Sequence, residues 1–177
     1  MAKQKLLSSP RAQRKKIVAM IEASMKRDKL NNECNTDFEY EPIISILVPL
    51  YNTDTNMLKC VIESVINQTY KNWELCLADG GGDWHTVEKI INTKFKDNRI
   101  KYVKLNENKG ISGNTNAALA LADGDYIVLG DHDDIIRPNA LFECAKAINE
   151  NRDIDVIYSD EDKVMSNGKK RLEPNLK

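Results

Sequence analysis

Residues 43–79 read IISILVPLYNTDTNMLKCVIESVINQTYKNWELCLAD, and the spacing of their apolar side chains decides the fold class. Ile44 to Pro49 is a short apolar run rich in branched residues, which predicts a buried strand. A polar break follows, where Asp54 or Thr55 can cap a helix. Beyond it Met57, Leu58, Val61, Ile62, Val65 and Ile66 recur on one helical face, a stripe that must rest on something apolar. Glu74 to Ala78 predicts a second strand, which runs into Asp79-Gly80-Gly81-Gly82-Asp83. Strand, amphipathic helix and strand in so short a span form the unit of an α/β domain with a mainly parallel sheet.

The alternation continues outward. Val87, Ile90, Ile91 and Phe95 mark a helix, Ile100 to Leu105 a third strand, and Asn114 to Ala122 another helix. Tyr126 to Leu129 reads as a fourth strand, Ala140 to Asn149 as a helix and Val156 to Ser159 as a fifth strand. In the tail, Asn167-Gly168 has the character of a hairpin turn between two short segments. A chain of 177 residues suits one core, and 41% apolar with 30% charged residues excludes collagenous and wholly disordered chains. Apolar runs such as Ile43 to Leu50 fall far below the roughly 20 residues that span a bilayer. The N-terminus has positive charges without a continuous apolar stretch, so no secretory signal is expected.

A net charge of −1 hides a division. Residues 1–32 carry nine Lys or Arg against Glu22 and Asp28, a balance of +7, which leaves −8 for the rest. An acidic body is a poor surface for nucleic acid, where binding rests on phosphate neutralisation. In the arm, Ile17, Met20, Ile21 and Met25 share a helical face behind Arg11, Arg14, Lys15 and Lys16. Two readings stand: a helix packed on the domain, or a foothold on an anionic membrane surface. Residues 31–42, ending in Glu41-Pro42, form a linker, so a basic helical arm with its linker covers 1–42 and the domain covers 43–177. Cys34, Cys60, Cys76 and Cys144 are too scattered for a zinc site and are expected as free thiols in a reducing cytoplasm.

In open α/β sheets, function gathers where the strands end. There the chain places Pro49, Tyr51, Asn52 and Asp54, then Asp79 with three glycines, then Asn106, Asn108, Lys109 and Gly110, then Asp131-His132-Asp133-Asp134. Ordinary turn chemistry accounts for any one of these loops taken singly. The aspartates are more demanding, since three carboxylates in four residues repel one another unless a cation or donors offset them. Mg²⁺ or Mn²⁺, which take oxygen ligands and bridge carboxylates to phosphates, would serve; a helix N-cap ahead of Pro138 explains Asp134 alone. The glycine run matches neither nucleotide-binding loop pattern. It is either a flexible turn or a place where backbone passes close to a flat ligand whose ring N–H the Asp79 carboxylate accepts.

These pieces resemble a known family. Val48-Pro49-Leu50-Tyr51-Asn52, the helix end Ser64-Val65-Ile66-Asn67-Gln68-Thr69-Tyr70 and Trp73-Glu74-Leu75 leading to Asp79 are similar to family 2 glycosyltransferases of the GT-A fold. So are Asn108-Lys109-Gly110-Ile111-Ser112 with Asn116-Ala117-Ala118, and Gly124-Asp125-Tyr126 followed by Asp131-His132-Asp133-Asp134. The resemblance covers about residues 43–165, in order and at suitable spacing. It implies a three-layer α/β/α domain around a mainly parallel sheet, with the N-terminal helix added.

The resemblance also implies a reaction, inverting transfer of a sugar from a UDP-sugar donor to the hydroxyl of a glycan or lipid-linked acceptor. The setting would be bacterial surface polysaccharide synthesis, in the cytoplasm, or at the inner face of the plasma membrane if the arm rests there. Pro49 and Tyr51 would flank the nucleotide base, Asp79 would hold the uracil ring, and Asn52, Lys109, Gly110, Asp131 and His132 would complete the donor site. Asp131-His132-Asp133 matches the D-x-D element, with Asp133 and Asp131 on Mn²⁺ or Mg²⁺. Asp160, in Ser159-Asp160-Glu161-Asp162, is a candidate for sugar contact or for the general base, which the family carries in a later half. On that ground the chain reads as the donor-binding part of an enzyme, with a catalytically incomplete nucleotide-sugar-binding module as the alternative. Two smaller departures are Gly130, where relatives often carry a bulkier apolar residue, and Gly80, where many have a second acid. A flavodoxin-like phospho-acceptor would need its acidic pair after the first strand, and a sugar nucleotidylyltransferase a Gly-rich, Arg-bearing loop there; Pro49-Leu50-Tyr51-Asn52 is neither.

Overall fold

Among the described residues, the strands that the apolar runs predict assemble into a four-stranded, wholly parallel sheet in the order β3-β2-β1-β4. The computed structural model describes residues 37–82 and 84–159. The arm with its amphipathic helix, Cys34, Asp83, the carboxylates of 160–162 and the Asn167-Gly168 turn lie outside the described residues. In chain order the elements are β1 (Ile44–Leu50), α1 (Thr55–Ile66), β2 (Trp73–Asp79), α2 (Trp84–Lys94), β3 (Ile100–Lys104), α3 (Gly110–Leu119), β4 (Tyr126–Leu129) and α4 (Ala140–Glu150).

Successive residues of a strand point to opposite faces, so the continuous apolar runs of β1 and β2 require cover on both. Ile44, Ile46, Val48 and Leu50 join Trp73, Leu75 and Leu77 against Leu58, Val61, Ile62 and Val65 of α1, Val87 and Ile91 of α2, and Leu141 and Ala145 of α4. The other face, through Leu47, Cys76 and Ala78, receives Ala118 of α3. Helices on both faces make the three layers. The chain steps from β1 through β2 to β3, then crosses back by α3 to β4 on the far side of β1. That reversal opens a crevice at the carboxyl ends of β1 and β4, where α/β proteins place ligands. Asp54 is the residue that caps α1, accepting from the Asn56 N–H at 2.9 Å and the Met57 N–H at 3.4 Å, a contribution of about 1 kcal/mol.

The return to β4 is fastened at the amino edge of the sheet. Glu74 is buried, and its Oε1 accepts from Ser45 Oγ at 2.7 Å and from the Asp123 N–H at 2.6 Å. Its Oε2 lies 2.6 Å from Lys101 Nζ, which lies 2.6 Å from the Asp123 carboxylate. Cys76 sits against this cluster; burial first, then the Glu74 charge, pushes its thiol up to about 11, so it stays protonated and unreactive. Cys144 is likewise a free thiol.

Two expected elements differ. Helix α3 begins at Gly110 rather than Asn114, because Asn108 Oδ1 accepts the Gly110 N–H at 3.0 Å and Asn114 Oδ1 accepts the Lys109 N–H at 3.1 Å. These side chains start a turn that two glycines conceal in the sequence. It ends at Leu119, and the chain to Ala122 closes in tight turns, with Leu121 N–H on Ala118 O and Ala122 N–H on Leu119 O, both at 3.0 Å. The expected strand at Val156 to Ser159 does not form. Val156, Ile157 and Tyr158 are exposed; branched and aromatic residues favour a strand only where a neighbour pairs their backbone. Among the described residues no helix is long and apolar enough to cross a membrane.

Candidate functional site

Strands β1 and β2 run in register to their ends, Leu50 opposite Asp79. The loops that follow stay joined: Gly80 N–H donates to Leu50 O at 2.8 Å, and Asn52 N–H to Gly81 O at 3.1 Å. Asn52 sits at φ 48°, and Gly82 passes so close to it that a Cβ there would stand 2.8 Å from Asn52 Oδ1. At Gly80 a Cβ would collide with Asn114 Nδ2. The glycine run is therefore a packed loop that brings the β1, β2 and β3 loops together, rather than a slack turn. At the middle of it, the Tyr51 ring edge lies 3.9 Å from where a Gly81 Cβ would stand, and Tyr51 is 47% exposed.

Asp79 lies beneath this loop, 2% exposed. Its Oδ1 accepts the Gly81 N–H at 3.0 Å and its Oδ2 accepts the Tyr102 hydroxyl at 3.1 Å. Burial first, and then the neighbouring Asp79 charge, pushes the Tyr102 phenol well above its ordinary range, so it remains a donor. Beside them the buried Asn114 Nδ2 donates to Asn108 Oδ1 at 3.0 Å, and the bonds to Lys109 and Gly110 described above hold that loop against Gly80. Lys109 and Gly110 are exposed at its crest, and Pro49 is half-buried in β1 opposite Ala78.

On the other side of β1, β4 stops early. Leu129 pairs with Leu47, and Gly130 N–H donates to Leu47 O at 3.0 Å before the chain turns away. Asp134 N–H donates to Asp131 O at 3.2 Å, which closes a turn with Asp131 and Asp133 exposed and His132 half-buried. Helix α4 takes Asn139 as its N-cap, so Asp134 does not serve as one. Among the described residues neither the Asp131 nor the Asp133 carboxylate has a hydrogen-bond or ion-pair partner, and no group of three His, Cys, Asp or Glu side chains forms a metal cage. Two unpartnered hard oxygen donors fit a Mg²⁺ or Mn²⁺ that takes its remaining ligands from phosphate and water. Tyr51, Asn52, Asp79, Lys109 and Gly110 are thus linked by contacts. The Asp131–Asp133 turn shares the same sheet edge without a hydrogen bond to them among the described residues. Asp160 lies outside the described residues.

Tyr102 and Asn114 escaped the reading of the sequence as members of this site. Their signal there is slight: a tyrosine within a strand reads as a strand former, and an asparagine within a helix as a surface residue.

The chain belongs to glycosyl transferase family 2, whose family profile matches residues 45–175. It is 41% identical over 128 residues to the uncharacterized protein y4gI of Sinorhizobium fredii, a match that takes in 72% of this chain and 14% of that one. It is 35% identical over 120 residues to an uncharacterized glycosyltransferase of Methanocaldococcus jannaschii, 67% of this chain and 41% of that one. The chain thus spans less than half the length of these relatives. Among solved structures, it is similar to S. aureus TarS 1–349 in complex with UDP-GlcNAc, with a TM-score of 0.56 and 25% identity over 62% of this chain and 32% of that one. The mannosyltransferase PcManGT from Pyrobaculum calidifontis, in complex with GDP-Man and Mn²⁺, shares the fold at a TM-score of 0.53 and 21% identity, over 79% of this chain and 42% of that one.

Proposed function

We propose that residues 43–177 are the donor-binding domain of an inverting glycosyltransferase that takes a UDP-sugar and delivers the sugar to an acceptor hydroxyl. One observation carries this. Tyr51, Gly81 and Asp79 make a single corner at the carboxyl edge of the sheet, and a turn presenting two carboxylates, Asp131 and Asp133, that have no partner among the described residues leaves the neighbouring strand on the far side of β1. A flat base can lie on the Tyr51 face, and the Asp79 carboxylate, an acceptor only, suits the ring N–H of uracil. Pro49 and Asn52 close the base side, while Lys109, Gly110 and His132 stand toward the phosphates, with Lys109 as a point charge. The likeness to a UDP-GlcNAc-bound structure supports this choice of donor.

Asp133 and Asp131 would hold Mn²⁺ or Mg²⁺. Such an ion supplies charge to offset what builds on the diphosphate as the sugar departs. The residues of this chain bind and orient the donor; the acceptor proton needs a base, a role assigned to no residue of 37–159. Asp160 keeps its place as a candidate for contact with the sugar. The acceptor is a glycan or lipid-linked acceptor of bacterial surface polysaccharide or glycan synthesis, in the cytoplasm. Residues 1–42 are a separate basic arm, packed on the domain or resting on the anionic inner face of the plasma membrane.

Calorimetric titration of the 177-residue chain with UDP tests the proposal. Mn²⁺ should tighten UDP binding about tenfold or more, and Asp133→Ala should abolish that gain while leaving metal-free binding in place. No binding of UDP, or a Mn²⁺ effect that survives Asp133→Ala, would overturn it.

A further inference from the structure

Gln68-Thr69-Tyr70, just beyond α1, has no part in the donor site as described. Gln68 is fully buried. Its Nε2 donates to Ser64 O at 3.0 Å and to Arg137 O at 2.7 Å, and its Oε1 accepts the Leu141 N–H at 3.1 Å. Both amide hydrogens and the amide oxygen are thus engaged. Thr69 adds its own N–H at 2.7 Å and its Oγ1 at 3.1 Å, both to Pro138 O. Leu141 N–H belongs to the first turn of α4, where backbone donors lack partners within the helix. The N-cap residue Asn139 makes no side-chain cap bond. A glutamine 73 positions away supplies an acceptor there instead.

What these bonds hold is the far end of the loop that carries Asp131 and Asp133. Its near end is fixed where Gly130 N–H meets Leu47 O at 3.0 Å. Between the two anchors, Asp134 N–H closes the turn on Asp131 O at 3.2 Å, and Ile136 packs against the apolar core on the α1 face. The acidic turn is therefore an arch with one foot on β1 and the other at the end of α1. Two carboxylates that repel each other on an unrestrained loop would have to be ordered each time a cation binds. An arch with both feet pinned has that order beforehand.

We propose that Gln68 is a positioning residue for the cation-binding turn, setting through Arg137 and Leu141 where Asp131 and Asp133 stand. This rests on the donor-site reading, in which that turn holds the cation. Gln68→Met keeps the volume and removes the amide. In the full 177-residue chain without ligand, backbone amide hydrogens of 131–139 should exchange faster in this variant, while those of β1 and β2 keep their wild-type protection. In calorimetry with UDP, metal-free affinity should stay within about twofold, and the gain from Mn²⁺ should fall about tenfold. Added to Asp133→Ala, the same change should cost nothing further in UDP affinity, because both act through one turn.

Ser64→Ala serves as the control. It removes a buried hydroxyl bonded at 2.7 Å to Val61 O within α1 and keeps the Ser64 carbonyl that Gln68 bonds, and should leave the Mn²⁺ gain intact. Thr69→Val, a milder release of the same foot, should reduce the Mn²⁺ gain in the same direction and decides the matter if Gln68→Met does not fold. An unchanged Mn²⁺ gain, or equal weakening with and without Mn²⁺, would overturn the assignment of Gln68 while the donor site stands. A wild-type chain with no Mn²⁺ gain would overturn both.

Discussion

Tyr102 reaches from β3 to the Asp79 carboxylate on β2 and shares it with the Gly81 N–H. A buried carboxylate that loses one of two donors is left with an unsatisfied acceptor. Tyr102→Phe should therefore lower stability by about 1–3 kcal/mol, read from the denaturant midpoint at unchanged slope. On the proposed donor site it should also weaken UDP binding several-fold with and without Mn²⁺ alike, because the hydroxyl holds the residue assigned to the base and not those assigned to the phosphates. A loss confined to the Mn²⁺ condition would contradict this division of labour. Asp79 and Tyr51 were legible in the sequence, since a carboxylate and an aromatic directly after two strands can only lie at the sheet's edge. Tyr102 was not, because its partner depends on the register that sets Leu77 against Tyr102 and Asp79 against Lys104, and nothing local to residues 100–105 encodes it.

At the level of elements, the amino edge of the sheet is held by charge. Burial alone pushes the Glu74 carboxyl up, but the Lys101 bond, the Asp123 N–H and the Ser45 hydroxyl outweigh it and hold the group below its ordinary value. Lys101 is raised in turn, first by its bond to Asp123 and then by that to Glu74. The signs fix two windows. The Glu74 contribution is present above the ordinary glutamate range and is lost as pH falls through the lowered value; the Lys101 contribution is present below the ordinary lysine range and is lost as pH rises above it. Melting temperature should therefore be flat near neutrality and fall on both sides. Glu74→Gln should lower stability by about 2 kcal/mol at neutral pH and flatten the acid side of the profile; an acid side as steep as wild type would contradict the role of Glu74. Amphipathic stripes made the helices legible. Helix α3 was partly hidden because Asn108 and Asn114 start it by side-chain bonds, and residues 156–159 have the composition of a strand although no neighbour among the described residues pairs with them.

Over the whole molecule, alternation of strand and helix announced a parallel α/β domain, and the structure has one. Strand order was less legible. β1 and β2 are apolar on both faces, which marks them as interior, but nothing in the apolar pattern says that β4 returns to the far side of β1. That return brings the acidic turn alongside the Tyr51 and Asp79 corner, with β1 between them, and the proposed function depends on this arrangement.

The most direct measurement is a crystal structure of the 177-residue chain with UDP and Mn²⁺. The uracil should stack on Tyr51 with its ring N–H on Asp79, and Asp133 should coordinate a cation bound to the diphosphate. A diphosphate held elsewhere, with the Asp131–Asp133 turn empty and the Tyr51 face bare, would contradict the account.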